Sequence, residues 1–312
     1  MDTIISILTA AVRAGTPILM ATQGEIVAER SGNMNLGIEG MMLIGAMFGF
    51  SISTTTGSAW LGLLGACICA MLFSLIHAVL TVTFRVNQVV SGLSLNFLGT
   101  GLSSVIGNAY IGQSANGFQP FKLGFLGDIP VIGSIFFNQD ALVYLSYVMT
   151  VLIMLFLYKT RAGMALRSVG DNPFAADAAG LSVNGIRYGA VAFGGFMSGM
   201  AGAYISLAYT TLWQPAMTAG KGWIAVALVI FAQWNPAKAL YGAYLFGGIT
   251  ALQLAIQIAG ATISPYILQM LPYVFTILAL CISMICARKR GLSLETAVGP
   301  AALGKAYYRE GR

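Results

Sequence analysis

Long apolar runs separated by short polar stretches make up most of this chain, and their length is that of a bilayer crossing. A helix rises 1.5 Å per residue, so about 20 apolar residues span the hydrocarbon. Runs of this kind cover residues 4–23, 36–54, 59–84, 88–108, 141–158, 188–208, 223–234, 239–259 and 266–286. Nine segments fit, with 223–234 short and open to an earlier start near Ala219. Reading residues 24–40 as a broken or re-entrant helix raises the count to ten. The pattern predicts an all-α polytopic membrane protein of nine or ten transmembrane helices, in a single transmembrane domain over residues 1–312.

One polar stretch stands apart, TRAGMALRSVGDNPFAADAAGLSVNGIR, between Lys159 and Arg187. It holds Lys159, Arg161, Arg167 and Arg187, and basic loops between spans collect on the cytoplasmic side. Asn172 before Pro173 reads as an N-cap with proline at the first helical position, and Gly180 as the stop. The helix over 173–179 is too short to cross a membrane. It is expected on the cytoplasmic surface, where a soluble partner can push on it. The cytoplasmic tail 287–312, with Arg288, Lys289 and Arg290, is placed on the same side, as are Arg85 and the turn at 235–238. Residues 109–140 fall outside. Parity puts the N-terminus outside with nine spans and inside with ten.

Composition agrees with this reading. Of 312 residues, 57% are hydrophobic and 8% charged, with mean hydropathy +0.81; a soluble domain carries about 25% charged residues. The net charge of +6 is then topological, and no nucleic-acid binding is expected. The start MDTIIS lacks a basic n-region, so no cleavable signal peptide is expected. Cys67, Cys69, Cys281 and Cys286 lie in apolar segments and read as buried thiols without metal-type spacing. Gly194, Ser198 and Gly202 form one stripe of small residues and Gly195, Gly199 and Ala203 a second, the pattern by which helices approach closely in lipid.

Chemistry concentrates in two places. The stretch GEIVAERSGNMNLGIEG (24–40) puts Glu25, Glu29, Arg30, Asn33, Asn35 and Glu39 against an apolar run. Glu39 lies deepest, and a carboxylate in hydrocarbon costs about 2.5–3.5 kcal/mol unless it faces protein, a cation or water. Two readings are open: a solvated loop with Glu39 paired near the interface, or an interrupted helix whose Asn33, Asn35 and Glu39 line a translocation path. In the second place, Gln88, Gly92, Asn96, Gly99 and Ser103 share one helix face opened by Asn87, which suits either path lining or helix-to-helix hydrogen bonding. Gln253 and Gln257 pose the same choice. Tyr209, Trp213 and Trp223 read as interfacial anchors, and His77 as a neutral packing residue. No acidic residue occurs between Glu39 and Asp128 or between Asp177 and Glu295, so an ion-coupled carrier has only Glu39 to work with. No phosphate loop, GxSxG or HExxH motif is present, which leaves a membrane enzyme without support and any ATP-driven transport dependent on another protein.

Two stretches, ERSGNMNLGIEGMMLIGA (29–46) and GMALRSVGDNPFAADAAGLSVNGIR (163–187), resemble the permease subunits of bacterial ABC importers. The branch is that for nucleosides and simple sugars, related to the ribose and branched-chain amino acid permeases. The resemblance extends through NQVVSGLSLN (87–96) and the run from Gly220 to Pro236. It implies a multi-pass subunit of the bacterial inner membrane that binds no cofactor itself, since ATP is held by a cytoplasmic ATPase. It further implies a second homologous permease and an extracytoplasmic substrate-binding lipoprotein as partners. Arg167, Asn172, Pro173, Ala175, Ala176 and Gly180 match the family's coupling helix, which docks into the ATPase. The alternative is a stand-alone ion-coupled carrier built on Glu39.

Overall fold

The computed structural model describes residues 2–258 and 299–309, with single helical positions between 267 and 285. The predicted span 266–286 lies mostly outside the described residues, and Arg288, Lys289 and Arg290 lie wholly outside them. Eleven α-helices are described: α1 Asp2–Arg30, α2 Ile38–Thr56, α3 Ala59–Ala78, α4 Gln88–Gly107, α5 Ile132–Phe136, α6 Ala141–Lys159, α7 Arg161–Asp171, α8 Pro173–Ala178, α9 Val183–Tyr204, α10 Lys221–Phe231 and α11 Pro236–Ile258. Among the described residues seven helices are long and apolar enough to cross a membrane. They correspond to seven of the predicted spans; the eighth, 223–234, is the short helix α10.

The arrangement is that of a protein solvated by lipid. Helices α1, α2 and α9 form the centre, with α3, α4, α6, α10 and α11 packed around them. Outward faces are apolar, with Leu61, Leu64 and Leu72 on α3, Phe97 and Val105 on α4, and Val148, Val151 and Leu152 on α6 all exposed. Polar side chains turn inward, where hydrogen-bond partners replace the water that hydrocarbon lacks.

The two small-residue stripes of α9 do what their spacing predicts. A Cβ on Gly202 would overlap the carbonyl of Met42 on α2, and one on Gly199 would lie 2.7 Å from the Ala70 Cβ of α3. Glycine therefore sets how closely both neighbours approach α9. Both α3 and α9 end in a π-helical turn, at Val79–Thr83 and Ile205–Tyr209.

Two spans depart from simple helices. Helix α1 runs on through Glu25 and Glu29 to Arg30, about 43 Å at 1.5 Å per residue, and both carboxyl groups are buried inside the bundle. The chain then passes irregularly through residues 31–37 before α2 begins. Residues 210–220 are likewise irregular ahead of α10, and the stretch 24–40 holds one break between α1 and α2 with no additional helix. Trp213, in the second irregular stretch, is 1% exposed and packs on Ala46, Met47 and Phe50. It is a core residue and not the interfacial anchor expected from sequence; its indole seats against Gly107, where a side chain would collide with it. Cys67 is buried, Cys69 half-buried and Cys281 exposed, all as free thiols, so the expectation of burial fails for Cys281.

Candidate translocation core and coupling surface

Irregular backbone inside a membrane protein must find its hydrogen bonds from neighbouring side chains. The break at 31–37 accounts in this way for Glu25, Asn35, His77 and Gln88. Glu25 Oε1 accepts from the Asn35 N–H (2.8 Å), Gln88 Oε1 accepts from the Met34 N–H (2.8 Å), and Asn35 Oδ1 accepts from the Gly37 N–H (2.9 Å). His77, fully buried, bridges the Met34 carbonyl (3.0 Å) and Ser91 Oγ (2.9 Å), the packing role anticipated for it. Asn33 donates from Nδ2 to Thr81 Oγ1 (3.2 Å). Glu29, one turn after Glu25, accepts from the Trp234 indole N–H. Asn35 and Gln88 thus serve the broken backbone in this conformation, while Asn33 bonds the Thr81 side chain.

The second break is held by Glu39. Its Oε1 accepts from Thr218 Oγ1 (2.6 Å) and the Gly220 N–H (2.8 Å), and its Oε2 accepts from the Gly222 N–H (2.6 Å). Helix α10 begins at Lys221, so this carboxylate sits at a helix N-terminus, where unpaired N–H groups and the helix dipole favour an anion. Gly222 makes the fit possible, because a Cβ there would lie 2.6 Å from the Glu39 backbone. Sequence reasoning singled out Glu39 but not Thr218 or Lys221. Lys221, whose Nζ lies 6.0 Å from the Tyr209 ring centroid, places a cation beside the same junction.

The polar face of α4 packs onto this core. A Cβ on Gly92 would meet the Leu36 backbone at 2.6 Å and one on Gly99 the Gly40 carbonyl at 2.7 Å. Close helix contact with α2 therefore occupies that face. Asn96 lies within it, and its buried Oδ1 has no partner among the described residues. Asn87 stands outside the face and caps α4, its Oδ1 accepting from the N–H groups of Val89 (2.9 Å) and Val90 (3.2 Å). Gln253 and Gln257 lie apart from the junction, in a cleft of about 160 Å³ that Ala10, Ala14, Tyr209 and Thr250 also line.

The polar loop folds as α7 and α8. Asn172 Oδ1 accepts from the Ala175 N–H (3.0 Å), Pro173 occupies the first turn, and Gly180 has φ +83°. The helix predicted over 173–179 is Pro173–Ala178, with Ala179 as its C-terminal cap. Arg167 lies over the Tyr158 ring at 5.3 Å. Pro173 and Ala176 face inward, Ala176 packing with Val169, Val183 and Tyr307, while Phe174 and Ala175 face outward. Arg187 is buried rather than flanking the helix at the surface; it donates from Nη1 to the Lys305 carbonyl (3.1 Å).

Comparison with known proteins fits this architecture. The family described as the branched-chain amino acid transport system permease component matches residues 6–280. The chain is 40% identical to the putative glucose ABC transporter permease of Haloferax volcanii, over 97% of this chain and 98% of that one. It is 36% identical to the nucleoside ABC transporter permease of Lactococcus lactis, over 94% of each chain. It is 35% identical to the guanosine ABC transporter permease of Bacillus subtilis, over 85% of this chain and 87% of that one. No solved structure matches. Seven apolar helices around two broken segments, and relatives of this kind along nearly the whole length, place the chain in the branched-chain amino acid permease family, as a multi-pass ABC transporter permease subunit of the inner membrane.

Proposed function

We propose that this chain is the translocation subunit of an importer for nucleosides, with simple sugars next in order, and that a separate cytoplasmic ATPase docks on α8. The observation that carries the proposal is the outer face of α8. Phe174 is 54% exposed, with Ala175 and Ala178 exposed beside it, on a short helix fixed at its start by Asn172 and from below by Ala176. A large aromatic on a rigid mount, flanked by small residues, suits insertion into a partner's pocket. A second homologous permease completes the membrane unit, and an extracytoplasmic lipoprotein delivers the solute. The nucleoside and sugar assignment rests on what the relatives are named for. The ion-coupled alternative draws no support from Glu39, both of whose oxygens are occupied by the start of α10.

The test is uptake of radiolabelled guanosine, and in parallel glucose, by proteoliposomes holding the chain with its ATPase, second permease and binding lipoprotein. Phe174→Glu combined with Ala175→Arg should abolish ATP-dependent uptake and ATPase association while leaving insertion and folding intact. Normal uptake by this variant, or uptake by the chain alone on a proton or sodium gradient, would overturn the proposal.

A further inference from the structure

Residues 299–309 return to the polar loop and contact several elements at once. The Ala302 N–H donates to the Gly170 carbonyl at the end of α7 (2.9 Å), and the Gly304 N–H to the Gly32 carbonyl in the first break (3.3 Å). The Lys305 carbonyl accepts from the buried Arg187. Gly299 lies against the Trp234 ring, at the position where any side chain would collide with it. Tyr307 is buried among Val169, Ala176 and Val183 and meets Phe174 edge-on at 5.4 Å between ring centroids. The neighbouring Tyr308 ring lies 4.5 Å from the Arg85 guanidinium, and Arg309 Nε pairs with Asp177 Oδ2 at 3.3 Å. One stretch, turned at 301–304, thus touches α8 at Phe174, Ala176 and Asp177, and touches the 31–37 break through Gly32.

We propose that residues 299–309 form a strap that links α8 to the break between α1 and α2, with Tyr307 as the residue that positions α8 for transport. The inference rests on the docking role given to α8 above. Backbone hydrogen bonds fix the strap at Gly32 and Gly170, and those two glycines suit the role: a Cβ on Gly32 would lie 2.9 Å from Arg187 Nη2 and 3.3 Å from the Ala302 carbonyl, and one on Gly170 would overlap the Arg30 carbonyl. Tyr307 supplies the other end, since its ring fills the space beneath Ala176 and beside Phe174. A push on Phe174 therefore reaches residues 31–37 through Tyr307 and the strap, in addition to the route through α7, whose Gly170 packs directly on Arg30 and Gly32. Packed side chains with two discrete arrangements are the physical carriers of such coupling.

The experiment compares wild type, Tyr307→Ala, Tyr307→Phe and Arg309→Glu in the assembled importer, reconstituted with its ATPase, second permease and binding protein. Guanosine uptake per ATP hydrolysed is measured, with complex yield and unfolding midpoint recorded for each. Tyr307→Ala should lower uptake per ATP about tenfold while ATP hydrolysis continues, a coupling loss in the usual allosteric range. Tyr307→Phe keeps the ring and should restore the wild-type ratio. Arg309→Glu alters a side chain that is 75% exposed, so folding is unaffected; repulsion from Asp177 should still lower the ratio severalfold. An unchanged ratio in both Tyr307→Ala and Arg309→Glu overturns the strap, as does a loss that only follows the amount of assembled complex. Absence of ATP-dependent uptake in wild type would instead overturn the function proposed for the whole chain.

Discussion

Replacing Glu39 by glutamine removes one of the two oxygens that hold the start of α10. The carboxylate now accepts from Thr218 Oγ1 at 2.6 Å, from the Gly220 N–H at 2.8 Å and from the Gly222 N–H at 2.6 Å. A carboxamide offers one acceptor oxygen and an NH₂ group. With the oxygen kept on Thr218 and Gly220, the amide nitrogen faces the Gly222 N–H, donor against donor. A buried donor left bare costs about 1–3 kcal/mol. Loss of the anion from a helix N-terminus adds about 0.3–2 kcal/mol. Glu39→Gln should therefore destabilise the protein by about 1–5 kcal/mol, and Glu39→Ala, which strips all three donors, by more. Thermal unfolding in lipid nanodiscs measures the first quantity, and uptake per folded molecule is measured alongside. If Glu39 anchors α10, both variants unfold early, alanine more so than glutamine. A Glu39→Gln protein that melts with wild type yet fails to transport would refute the anchoring argument, because a carboxylate facing a water-filled path has no structural donors to lose.

Two further substitutions test the packing argument. Gly202→Ala should sharply reduce the folded yield, since the new Cβ would overlap the Met42 carbonyl, whereas Gly189→Ala, with nothing within 4 Å of the added carbon, should be tolerated; fluorescence-detected size exclusion of the two variants checks the contrast. Asn87→Ala should cost about 1 kcal/mol through the lost cap of α4 and leave the KM for uptake unchanged, and a shifted KM would return Asn87 to the path.

The spans and the short helix of the polar loop were legible in sequence for different reasons. Hydrocarbon selects long apolar runs whatever their neighbours, so the predicted segments 4–23 to 239–259 all reappear as helices. The cap at Asn172 and the stop at Gly180 involve residues only a few positions apart, so local chemistry sufficed. Glu39 was visible as an expensive carboxylate, but its partners lie 179 to 183 residues away, and nothing near Thr218 marks it as one. For the same reason Asn35 and Gln88 read as path candidates: sequence shows an amide in a span but not the irregular backbone it serves. The inward orientation of Ala176 and the burial of Trp213 and Arg187 likewise depend on distant elements. For Arg187 that element is the stretch 299–309, which Ala176 also meets at Tyr307 beside the nearby Val169 and Val183, and for Trp213 it is α2.

The strap also bears on how the molecule is built. Residues 299–309 leave the ribosome after every helix from α1 to α11 has been made, yet the Gly32 and Gly170 carbonyls and the Arg187 guanidinium take partners from them. The side of the bundle bearing α7 and α8 therefore lacks these partners until the last part of the chain is made. A chain that stalls early keeps α8 without its Tyr307 support.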